Sequence, residues 1–354
     1  MCRSFAGAIQ KGRNYVRKIN RVSAVSISAA LAASLALSIP ATSKELKFAS
    51  FVGGPHPMNK FVFAPWTKEV AKLSGGSLTV KMYYGGALGK GGTKQFKRAV
   101  DGVADITWAL QGYTANLFRK TTLVEFTNVG KNTVDATERM WKVYGEHLAS
   151  EYTRVKPLAI WVADAPVIHT KSKPVNSISD LKGMKIRTPS QYQAWMIQAL
   201  GATPVPMPVT KVYNSLDRGV IDGVLIAASG IKSFKLNEVT KYHVDGINWG
   251  YSPFFAVMNK KSYSSLSKKH RDIIDKTTGL AMSVKAAAIY GKAGDKVLQG
   301  LRKDNKRSMK SFSASEIKKA HSLISKAEDG IVAKVSKEGI DLKPALSALR
   351  GAGS

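Results

Sequence analysis

TKQFKRAVDGVAD, Thr93–Asp105, can be laid over TKVYNSLDRGVID, Thr210–Asp222: Thr, Lys, Gly, Val and Asp coincide, and Phe96 faces Tyr213. Each copy reads as a Thr N-cap, a short helix, a Gly at C′ and the start of a strand. Apolar strands follow at Ile106–Leu110 and Val224–Ala227. The repetition predicts equivalent units in two similar lobes.

The surrounding sequence keeps the same alternation. Short apolar segments at Leu46–Phe51, Leu78–Tyr83, Pro157–Val162, Val167–Thr170, Leu181–Pro189 and Phe254–Met258 read as strands. Between them, Val62, Trp66, Val70 and Leu73 recur at the spacing of one helical face. A long helix is expected from Ser267, with Ile274, Ala281, Val284 and Ala288 as its buried stripe. A last helix opens on a capping box, Ser313 and Glu316, with Ile317, Ala320, Ile324, Ala327 and Ile331 facing inward. Alternating helices and strands argue α/β layers with a mainly parallel sheet in each lobe. The glycine-rich stretch Gly85–Gly92 reads as a turn, because a phosphate-binding loop needs Gly where Tyr84 stands.

Composition narrows the function. The chain has 354 residues, 44% hydrophobic and 22% charged, with one cysteine and a net charge of +30. A disulfide framework and cysteine-ligated metal are excluded. Arg3, Lys11, Arg13, Arg17, Lys18 and Arg21 precede the apolar run Val22–Ile39, and small residues surround Ser43. That order describes a cleaved secretory signal over residues 1–43 and a periplasmic mature chain. Removing 43 residues and six charges leaves 311 residues with a net charge of +24.

Catalytic signatures are absent: no HExxH, no GxSxG, and no cysteine nucleophile after residue 43. The six histidines are scattered and read as surface or loop residues, so neither a metal site nor a cofactor is expected. Glu328-Asp329 reads as a solvated helix face. The basic cluster Lys303, Lys306, Arg307 and Lys310 has no nucleic-acid-binding motif around it, and reads as lysine-rich surface rather than a nucleic-acid site.

SGGSLTVKMYYGGALG, AVDGVADI, DLKGMKIRTP, GATPVPMPVTKVYNSLDRGVIDGV and AVMNKKSYSSL together make the chain resemble the extracytoplasmic solute-binding proteins of TRAP transporters, the DctP family, from about Leu46 to about Gly339. The resemblance implies a two-lobed periplasmic binding protein fold with a long C-terminal helix spanning the lobes. Residues 44–164 plus 252–291 would make lobe I, and 165–251 plus 292–354 lobe II. It implies a non-enzymatic receptor that binds a small carboxylate between its lobes and delivers it to the small and large membrane subunits of the transporter.

Arg187 carries the site. It follows Ile186 in an apolar strand and precedes Thr188-Pro189, which places it at a strand's carboxyl end, where open α/β sheets bind ligands. Its planar fork can hold a carboxylate through two parallel hydrogen bonds. It also stands at the family's carboxylate-binding arginine position. Where sialic-acid-binding members carry polar groups, this chain has Phe51, Leu110, Val167 and Ile226. Aromatic residues expected near the cleft include Trp108, Tyr113, Tyr192 and Trp249, with Tyr251 and Phe254, and Gln111 is a further polar candidate. The expected ligand is a monocarboxylate with an apolar or aromatic body. A C4-dicarboxylate receptor and, from a different class, an exported carboxylate-using lyase or isomerase are the alternatives.

Overall fold

The computed structural model describes residues 43–352; the expected signal segment, 1–43, lies almost wholly outside the described residues. Its eleven strands are β1 (Lys44–Ala49), β2 (Leu78–Tyr83), β3 (Ile106–Leu110), β4 (Val155–Val162), β5 (Pro166–Thr170), β6 (Lys185–Thr188), β7 (Thr203–Pro206), β8 (Gly223–Ala227), β9 (Tyr242–Asp245), β10 (Pro253–Asn259) and β11 (Ser308–Ser311). They form two sheets, in the orders β2-β1-β3-β10-β4 and β11-β9-β5-β8-β6-β7. The fold is two-lobed α/β.

The internal echo is a structural equivalence. β1 pairs parallel with β3, and β6 with β8. Asp105 ends the first copy and accepts the Lys47 N–H at 2.7 Å; Asp222 ends the second and accepts the Lys185 N–H at 2.8 Å. Each copy turns at a glycine in the left-handed region, Gly102 at φ 73° and Gly219 at φ 69°. Thr93 and Thr210 do not cap the helices. They lie in 3-10 turns, Gly92–Lys94 and Val209–Lys211, that feed directly into Gln95–Val100 and Val212–Asp217, so the turn's own carbonyls occupy the helical donors.

The six-stranded sheet is mainly parallel, through β11–β9, β6–β7 and β6–β8, and each sheet contains one reversed strand. β10 runs antiparallel to both β3 and β4, and β5 antiparallel to both β8 and β9. The reason is connectivity: β4 leads directly into β5 and β9 into β10, so the chain enters each sheet against the direction of its βα units.

The long helix is broken at Thr278-Gly279 into Lys268–Thr277 and Leu280–Arg302. Gly279 adopts φ 73° and donates its N–H to the Leu158 carbonyl. The break resets the helical phase, so Ala281 and Ala288 are exposed and Met282, Ala286, Ala287 and Tyr290 are buried. Leu280–Arg302 packs on β4 of the first lobe and on the helix Ala228–Ser233 of the second. In the helix Ala314–Lys337, Ser313 accepts the Glu316 N–H, but the Glu316 carboxylate turns to the Ile178 N–H instead of closing the box. Glu328 is buried, not solvated. It accepts the Thr127 N–H at 2.6 Å and an Arg350 N–H at 2.7 Å. Among the described residues no helix is long and apolar enough to cross a membrane.

Candidate ligand-binding site

The parallel strands β1, β3, β6 and β8 all end at one cavity, the position where α/β sheets place their ligands. The cavity offers about 60 Å³ in which a water molecule's centre can sit. That is room for roughly four to six waters, comparable to an apolar cavity of ~150 Å³ that accepts one benzene ring. Phe51 follows β1, Trp108, Leu110 and Tyr113 end and follow β3, Ile226 ends β8, and Phe254 opens β10; all line the cavity.

Arg187 enters this apolar space from β6 and is 1% exposed. Its Nε donates to the Met207 carbonyl at 2.9 Å and its Nη1 to the Leu225 carbonyl at 3.4 Å. These bonds fix the plane of the fork from behind. The Tyr113 hydroxyl stands near the guanidinium and accepts the Val209 N–H at 3.0 Å. Burial lowers the Arg187 pKa, and Tyr113 opposes that shift. Among the described residues, no carboxylate forms an ion pair with Arg187.

The walls are aromatic. The rings of Phe51 and Trp108 lie 4.8 Å apart, those of Trp108 and Phe254 6.0 Å, and those of Phe254 and Tyr290 5.5 Å. Trp108 Nε1 donates to the Ser50 hydroxyl at 2.9 Å, so its polar edge is satisfied outside the cavity and its ring remains as apolar wall.

Five of the expected residues do not line the cavity, Tyr251 among them, whose hydroxyl donates to the Gly130 carbonyl at 3.3 Å. Gln111 opens the 3-10 turn that follows β3, is buried there, and donates to the Tyr152 hydroxyl at 3.0 Å. Val167 lies opposite Ile226 in the β5–β8 ladder, two strands from β6, and is buried there. Tyr192 donates to the Arg119 carbonyl and stacks on Trp195, another face of its helix. Trp249 is buried in the segment between β9 and β10, whose Gly250 N–H is bound to the Glu125 carbonyl.

Other residues were missed. His56, from the turn before the first helix, Phe234, Ser229 and Tyr290 complete the wall. Burial lowers the His56 pKa to about 4, so the ring is neutral. Ser229 donates its N–H to Asp164 Oδ2 at 3.0 Å, and burial raises the Asp164 carboxyl to about 7. Tyr290 went unnoticed because the helix break shifts the stripe it belongs to. Nor are all the histidines at the surface. His169 and His243 form a buried cross-strand pair, Nδ1 to Nδ1 2.7 Å.

A further polar contact lies beside the cavity. Ser190, next to the wall residue Pro189, donates its hydroxyl to Glu125 Oε2 at 2.5 Å. Glu125 is buried, and desolvation raises its carboxyl to about 8, an effect the Ser190 bond opposes. A Cβ on Gly250 would sit 2.1 Å from the Glu125 carbonyl carbon, so only glycine permits that approach. No cluster of three or more metal-ligating side chains occurs among the described residues.

Two α/β lobes joined by crossing strands and a shared helix, enclosing an apolar cavity with one buried cation, define a ligand receptor of the two-lobed binding-protein class. The chain belongs to bacterial extracellular solute-binding protein family 7, DctP, whose profile matches residues 48–334. A TRAP solute-binding protein from a marine metagenome, specific for aromatic acid ligands and solved with 3-hydroxybenzoate, is 31% identical with a TM-score of 0.82. The match covers 87% of this chain and 97% of that one. A TRAP solute-binding protein of Rhodoferax ferrireducens, solved with copurified benzoate, is 28% identical with a TM-score of 0.82, over the same shares of each chain. The C4-dicarboxylate-binding periplasmic protein DctP of Rhodobacter capsulatus is 25% identical over 329 residues, 90% of this chain and 96% of that one. The protein is therefore a TRAP solute-binding receptor. Proteins of this family are periplasmic, bind small carboxylates and work with membrane permease subunits.

Proposed function

We propose that the receptor binds a monocarboxylate with an aromatic or apolar body, its carboxylate on Arg187 and its body against Phe51, Trp108, Leu110, Ile226 and Phe254. The observation that carries this reading is a buried guanidinium, backed by two carbonyls, with no carboxylate in ion-pair contact among the described residues. A buried charge without a counter-ion is unfavourable, and a ligand carboxylate relieves it. The rest of the cavity lowers free energy by ~25 cal/mol for each Å² of apolar surface it removes from water.

A second ligand carboxylate would find no cation. His56 is neutral near pH 7, and among the described residues no other Arg or Lys lines the cavity. Solved relatives 31% and 28% identical carry 3-hydroxybenzoate and benzoate, which supports the ring-acid reading over a C4-dicarboxylate. On this reading the residues 44–164 with 252–291 and 165–251 with 292–354 close on the ligand as lobes, and the closed form presents it to the small and large transporter subunits. The ligand is released unchanged.

Calorimetry with benzoate and succinate tests the assignment. Arg187→Ala should weaken ring-acid binding by ~2–5 kcal/mol, ~30- to several-thousandfold. Arg187→Lys should recover part of that, because the ammonium keeps the charge and loses the fork. Unchanged affinity in a folded Arg187→Ala protein, or tighter binding of succinate than of benzoate, overturns it.

A further inference from the structure

The aromatic wall is interrupted at one place by two polar atoms with nothing to bind. His56 Nδ1 accepts the Met58 N–H at 3.3 Å, which assigns the ring proton to Nε2. The imidazole is wedged among the rings of Trp108, Phe234 and Tyr290, at 5.5, 5.7 and 6.3 Å between centroids. His56 is 8% exposed and Tyr290 5%, and both line the cavity. Among the described residues, neither His56 Nε2 nor the Tyr290 hydroxyl has a hydrogen-bond partner. Buried polar groups are as a rule satisfied, so two orphans converging on one cavity point to a ligand atom.

We propose that His56 and Tyr290 form a second polar pole of the cavity that recognises a hydroxyl group on the ring of the bound acid, so that the ligand class is the hydroxy-substituted aromatic monocarboxylates. The proposal rests on the ring-acid reading above and adds the substituent. The chemistry matches atom for atom. A phenolic oxygen accepts the His56 Nε2–H, and the phenolic O–H donates to the Tyr290 oxygen. A methyl group of similar size would desolvate both without replacing their bonds with water. A second carboxylate could accept from both, but it would carry its charge into an apolar space where, among the described residues, no cation besides Arg187 stands to compensate it. Since burial holds the His56 pKa at about 4, the donor persists unchanged through neutral pH.

The test is a calorimetric series on the wild-type receptor with benzoate, 3- and 4-hydroxybenzoate, and 3- and 4-methylbenzoate, between pH 5.5 and 8. A site built to hydrogen-bond a hydroxyl discriminates strongly against an analogue that lacks it. One hydroxy isomer should therefore bind at least ~10-fold tighter than the methyl analogue at the same position. His56→Phe and Tyr290→Phe should each bring that ratio close to one. The ratio is the readout, so any general loss of affinity in a variant cancels. Equal binding of hydroxy and methyl analogues, with benzoate bound well, overturns this proposal and leaves the ring-acid reading standing. A wild-type hydroxyl preference that survives both variants also overturns it. Failure of every ring acid to bind overturns both.

Discussion

Replacing Glu125 with Gln isolates one buried carboxyl, and its effect should reverse between acid and alkaline pH. Burial raises the Glu125 carboxyl from 4.5 to about 8, so the native state holds a proton that the unfolded chain releases above pH 4.5. The stability tied to that proton is fully present below 4.5 and is lost as pH rises through about 8. At about 1.4 kcal/mol per pH unit, the loss between pH 5 and pH 8 is ~4 kcal/mol for a dry, rigid site. Glutamine keeps an acceptor for the Ser190 hydroxyl and cannot ionise. Urea unfolding of both proteins at pH 5 and pH 8.5 measures the difference, and every other titrating group cancels in it. The variant should lie within ~1 kcal/mol of wild type at pH 5 and be more stable by ~3–4 kcal/mol at pH 8.5. Parallel stability–pH curves would show that Glu125 ionises as freely in the folded protein as in the unfolded chain, which refutes the argument.

The buried histidines bend the curve from the other side. Desolvation lowers His169 well below 6.5 and His243 to about 4, so the stability they contribute is present above pH 6.5 and lost as pH falls towards 4. Nitrogen-15 spectra of the imidazoles should show both rings neutral at pH 5; protonation of both near pH 6.5 would contradict the buried pair. Closure about the crossing segments predicts a smaller radius of gyration by small-angle scattering when a ring acid is bound, and identical profiles with and without it would count against lobe movement.

What the sequence made legible was whatever repeats locally. Asp105 and Asp222 each tie a strand to the one before it, and Gly102 and Gly219 each turn the chain at positive φ, so both lobes needed the same residues at the same spacing. The direction of β5 and β10 was not legible. It follows from which strands hand the chain from one sheet to the other, and no local pattern carries that information. The phase of the long helix failed at a single residue. Gly279 reads as one more small residue in a helical run, yet its N–H is drawn to Leu158, far away in sequence.

The site divides along the same line. Arg187, Phe51, Trp108, Leu110, Tyr113 and Ile226 share a cavity because strand ends converge there, and strand ends could be located from apolar runs and the turns that stop them. Gln111 and Val167 were lost to orientation and strand order, which a single residue of register or one unseen neighbour decides. His56 and Tyr290 come from a turn and a helix far apart in sequence, and neither carries a motif. Their proposed chemistry exists only where the fold sets both against one cavity and, among the described residues, gives neither atom a partner. The cationic pole of this cavity is announced by one arginine at a strand end. On the proposed reading, the cavity's selectivity is set by side chains that are ordinary until they are buried together.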